Sequence, residues 1–205
     1  MSASWQALHN QDRSLALCLL FAPAKTRPLL ADRLSLALEA ELAIRVTSEP
    51  MLAAIRLQWW SDALETGRHE NVPLAERLLA HIGRGHLDPD AVHAQLALWQ
   101  DRLGDDTFGA DRCWHDFFGM LAEDRAAEPA ASLVGAALRT SQHADRLDDG
   151  LLADLRTPHH YWIWMIGQLA RHEMSAADGT DDPLLIWKML GWRCGFRLPS
   201  RPTTP

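Results

Sequence analysis

Carboxylates are the residues of this chain whose spacing most readily suggests chemistry. Asp101, Asp105 and Asp106 form one cluster, Asp145, Asp148 and Asp149 a second, and Asp178, Asp181 and Asp182 a third. Acids three or four residues apart on a helix can share a magnesium ion, with substrate phosphate oxygens completing its shell. Each cluster also falls beside a turn signal, where acids are ordinarily solvated or cap helices. The middle group, Asp145/Asp148/Asp149, is the strongest metal candidate of the three. The 10 histidines include His159-His160, His69-Glu70 and His172-Glu173. None makes a His-x-x-x-His or Glu-x-x-His pair on one helical face, so zinc and di-iron chemistry find no support. A serine or cysteine nucleophile has no recognisable setting, and there is no Gly-rich phosphate loop.

Eight tryptophans, Trp59, Trp60, Trp99, Trp114, Trp162, Trp164, Trp187 and Trp192, fall on expected helices. They could line an apolar cavity for a lipid-like chain, or simply fill a core. The 3 cysteines, Cys18, Cys113 and Cys194, are odd in number and lack paired spacing, which suits reduced thiols of a cytoplasmic protein. A formal charge of −7 offers no support for nucleic-acid binding, which wants a basic face. Of 20 cationic residues only Lys25 and Lys188 are lysines. Arginine could serve bidentate phosphate or carboxylate binding, although genome-wide codon bias gives the same count.

The elements that must position these groups read as helices. Val and Ile together number 10, against 63 for Ala and Leu, so an all-α fold is expected. At 205 residues the simplest organisation is one helical domain over 1–198 with a disordered tail over 199–205. The periodicity predicts helices over about 12–21 with Asp12 as cap, 26–46 with Leu30, Leu34, Leu38 and Leu42 on one face, and 48–66. Further helices are expected near 73–83, 89–103 and 110–125, from Pro129 onward, and near 150–155, 158–173 and 184–192. The segment 48–64 stands out, with Ser48 as a candidate cap and Pro50 in the first turn. Its two apolar stripes, Leu52/Ile55/Trp59/Ala63 and Ala53/Leu57/Trp60/Leu64, predict a central helix packed on two sides. No signal peptide is apparent and no apolar run reaches bilayer length. A soluble protein is expected, with peripheral membrane contact open.

The N-terminal third also resembles a known family. Phe21-Ala22-Pro23, Arg27-Pro28, a Leu-rich helix, Ser48-Glu49-Pro50 and then Ile55-Arg56-Leu57-Gln58-Trp59-Trp60-Ser61-Asp62-Ala63-Leu64 look like the start of the squalene/phytoene synthase family. The likeness covers about residues 12–66. It is nearest to a divergent branch that includes a mitochondrial respiratory complex I assembly factor. Gly135 to Arg139 and Leu184 to Leu190 could correspond to later helices of the family.

The resemblance implies the isoprenoid (terpenoid) synthase fold around a central cavity. Active members join two isoprenyl diphosphates head to head, with magnesium held by two Asp-rich helical motifs. Counting back from Ser48, the first motif's positions fall near Glu41 and Arg45, so one carboxylate survives and the other position carries the opposite charge. The second motif would place Asp where this chain has Thr140 and Ala144; Asp145 is one position, about 100° of helix, out of register. Both motifs are therefore eroded. The leading expectation is a protein without ordinary catalysis that binds an isoprenoid or acts as an accessory or assembly factor, and no cofactor is expected. The rival is a magnesium-dependent transferase in isoprenoid biosynthesis, with Glu41 catalytic and Asp145, Asp148 and Asp149 on the metal. On either reading Arg27, Arg45, Arg56, Trp59 and Trp60 are the substrate-binding candidates. A third reading is a helical protein-interaction module.

Overall fold

The computed structural model describes residues 1–46, 49–69, 71–103, 109–122, 124–175 and 184–195. Every regular element among them is helical, in keeping with the scarcity of β-branched residues. The helices are α1 (Ala3–Gln11), α2 (Arg13–Cys18), a 3-10 turn (Leu19–Phe21), α3 (Arg27–Val46), α4 (Pro50–Thr66), α5 (Pro73–Gly83) and α6 (Pro89–Gln100). They continue with α7 (Ala110–Leu121), α8 (Glu128–Ala137), α9 (Ser141–Ala144), α10 (Asp149–Ala153), α11 (Tyr161–Ser175) and α12 (Leu185–Arg193).

Local chemistry explains most of the boundaries. Asp12 accepts from the Leu15 amide and starts α2, and Asp88 accepts from the Asp90 amide ahead of Pro89 in α6. Gly67 closes α4 in the left-handed region, with φ of 71°. The cap position of α4 belongs to Glu49, whose side chain makes no capping bond; Ser48 lies outside the described residues. Also outside them are Asp105, Asp106, the 178–183 loop and the 199–205 tail.

Sequence periodicity gives no sign of α1, whose only large apolar residues are Trp5 and Leu8. Both are buried, and the Trp5 indole donates to the Ala16 carbonyl at 2.7 Å. That bond folds α1 back against α2, so two apolar anchors suffice where periodicity alone is too weak to mark a helix.

α3 is packed all round over its middle turns, which corrects the central role expected for α4. Residues 31–37 of α3 are buried on every side, and α1, α4, α5, α6 and the 3-10 turn pack against it. In α4 only Ala53, Leu57, Trp60, Ala63 and Leu64 are buried, while Leu52 and Ile55, the N-terminal half of the first stripe, face outward. The two stripes look equivalent in sequence, yet the first turns inward only at its C-terminal end, where Ala63 is buried and Trp59 packs against the core.

The second half is built on α7 and α8, with α11 lying on α8, α9 and α2. A Cβ at Gly135 of α8 would collide with the Trp114 carbonyl oxygen and come within 2.8 Å of the Phe118 Cβ of α7. Glycine there lets the two backbones approach. Trp99, Trp114, Phe117, Phe118 and Trp162 pack mostly edge-on with ring centroids 5.8–6.1 Å apart, which makes them mutual core contacts.

Candidate functional site

Two carboxylates of α3 enter the interior, which is costly unless each finds donors. Asp32 and Glu41 are nine residues apart, about half a turn out of phase and roughly 13 Å along the axis, so they serve opposite faces of α3.

Asp32 is fully buried. One oxygen accepts from Arg77 Nε at 2.7 Å, and the other from Ser4 Oγ at 2.8 Å and His81 Nε2 at 3.2 Å. Arg77 and His81 are four residues apart on α5 and therefore share a face. Beside them, Arg33 donates to the Gln95 side-chain oxygen at 3.1 Å, while the Gln95 amide donates to the Arg33 carbonyl at 2.9 Å. These bonds fasten α1, α5 and α6 to α3.

Glu41 lies on the other face, towards the second half of the fold. Its Oε2 accepts from Arg139 Nη2 at 2.7 Å and from the Trp114 indole N–H at 3.1 Å. The Arg139 guanidinium lies 4.6 Å over the Trp114 ring, adding a cation–π contact to the ion pair. Arg139 follows the end of α8, where a cation also suits the helix dipole. Nearby, His143 of α9 meets Asp111 of α7, Nε2 to Oδ2 at 3.0 Å. Cys113 is buried next to this cluster. Burial pushes its thiol up to about 12, the Arg102 charge opposing the shift and Asp116, Glu41 and Asp111 reinforcing it. Cys113 is thus a neutral packing group.

The remaining sequence-derived candidates do not converge on Glu41 through any direct bond. Asp148 accepts from the Leu151 amide at 2.7 Å and caps α10; Asp149 binds Arg171 at 2.8 Å; Asp145 is exposed. Among the described residues no three His, Cys, Asp or Glu side chains group so as to hold a metal ion. A magnesium ion wants several oxygens aimed at one point, and these carboxylates are instead spent on an arginine, an indole and a helix cap. Among the described candidates, Glu41, Asp148 and Asp149 therefore do not present the free, convergent oxygens that ion needs.

Among the basic candidates, Arg27 donates to the Leu20 and Ala22 carbonyls at 3.0 and 2.9 Å and so ties down the 3-10 turn. Arg45 and Arg56 are exposed, and Trp59 and Trp60 pack on each other in a T-shaped pair with centroids 5.1 Å apart. The Asp32 cluster is not among the sequence-derived candidates. The signal for it is an acid inside an apolar helix, and an arginine and a histidine four apart on another.

Comparison with known proteins gives no family model, no curated protein and no solved structure that matches this chain.

Proposed function

We propose that the chain is a squalene/phytoene synthase-like helical protein that has given up ordinary prenyl transfer and serves as an isoprenoid-binding, accessory or assembly protein. One observation carries this reading: the Glu41 carboxylate, the surviving acid of the first motif position, is bound by Arg139 and Trp114. A metal taking that oxygen would have to break a charge-assisted bond and leave Arg139 without its counter-ion. The ion pair therefore occupies the oxygen that a metal would need. It joins the first and second halves of the bundle, and needs no diphosphate to do so. The resemblance of residues 12–66 supplies the family and the isoprenoid ligand class.

The test is incubation of the purified protein with farnesyl or geranylgeranyl diphosphate and magnesium. Saturable binding with no diphosphate release is expected. Turnover that disappears in Glu41→Gln would overturn the reading in favour of the transferase.

A further inference from the structure

The outward side of α4 changes character along its length. In the first two turns Met51, Leu52 and Ile55 are 73%, 48% and 58% exposed, and Val46 at the end of α3 is 63% exposed. Met51/Ile55 and Leu52/Ile55 are four and three residues apart, so these three form one apolar face. Exposed Arg45 and Arg56 flank it, with Glu49 the one acid among the described residues between them. In the last two turns the exposed residues turn acidic and polar: Gln58, Asp62 and Glu65.

We propose that the end of α3 and the start of α4 dock on an anionic membrane surface, with the first turns of α4 inserted and its acidic end held away. Side chains this exposed stand out from the surface and do not line a groove, which suits a deformable bilayer better than a rigid partner. Charge complementarity selects the lipid. The chain as a whole carries −7 and is repelled by anionic headgroups, so attraction has to be local, and Arg45 and Arg56 supply it at the apolar patch. The polarity gradient along α4 then sets the tilt. Aliphatic groups enter the acyl boundary, the arginines meet phosphates, and Asp62 and Glu65 remain in water. No helix among the described residues is long and apolar enough to cross a membrane, so the association is peripheral and reversible. This proposal does not depend on isoprenoid binding.

Co-sedimentation of the full chain with vesicles tests it. Binding to mixed phosphatidylglycerol/phosphatidylcholine vesicles is expected, with much weaker binding to pure phosphatidylcholine and a steep loss in high salt. Leu52→Gln with Ile55→Gln should weaken binding about tenfold or more, because two apolar anchors are lost. Arg45→Gln and Arg56→Gln should each weaken it about fivefold on anionic vesicles. All four positions face outward, so thermal melts of the variants should match the parent. Trp187→Gln, on the exposed face of α12, should bind as the parent does. The proposal is overturned if the parent ignores anionic vesicles or if the Leu52/Ile55 variant binds undiminished. It is equally overturned if only Trp187→Gln loses binding, or if light scattering shows the patch holding two copies of the chain together.

Discussion

Glu41 and Arg139 meet at 2.7 Å with side chains 10% and 24% exposed, a pair sheltered enough to matter and not fully dehydrated. Removing one partner strands the other. Glu41→Gln or Arg139→Gln alone should cost about 2–3 kcal/mol, below the range for a fully buried pair because water still reaches the arginine. The double variant should recover much of that loss, since no uncompensated charge remains. Urea denaturation of the four proteins measures the coupling; strictly additive losses would show that the pair holds nothing together. The same residues therefore report on stability as well as on chemistry.

The α7–α8 contact depends on the absence of a side chain at Gly135. Gly135→Ala would force a Cβ against the Trp114 backbone, which cannot rotate away, and should cost about 2–3 kcal/mol. Gly119 in α7 provides the control. Its added Cβ would lie 2.6 Å from Ser132 Oγ, a hydroxyl that can turn aside, and alanine is the better helix former by about 1 kcal/mol. Gly119→Ala should change the melting midpoint little, and a comparable loss in both variants would refute the backbone-contact argument. On α4, alanine and leucine periodicity located the helix, while the exposure of Leu52 and Ile55 and the burial of the second stripe were set by where α3 and α6 lie.

Across the whole molecule, the neutral Cys113 thiol links stability to pH. Its folded value of about 12 lies above the ordinary 9.0, so its contribution is complete below pH 9 and lost as pH rises towards 12. Burial also raises the Tyr161 phenol, with opposing pulls from Arg156 and Arg193, and that shift has the same sign. The melting temperature should fall through this alkaline window, and Cys113→Ser should alter the slope. Cys194 is exposed while Cys18 and Cys113 are buried, so a thiol reagent at neutral pH should modify Cys194 quickly and the other two only after unfolding.

Composition and periodicity by themselves determined that the chain is helical and where most helices run, because Ala/Leu content, prolines and capping acids act through neighbours in sequence. Asp12, Asp88, Pro50, Pro73 and Pro89 all appear in the starting roles their residue types suggest. The sequence also singled out Glu41. Only the tertiary structure decided that α3 is enclosed by its neighbours, that Leu52 and Ile55 of α4 face outward, and that Glu41 is met by Arg139 from 98 positions away. Those outcomes depend on the order in which helices surround α3, and on donors brought from distant elements to satisfy a buried charge. A local pattern contains neither. The carboxylate in the Glu41 position could be read from the chain; the arginine that neutralises it became visible only when α3 and the end of α8 were brought together.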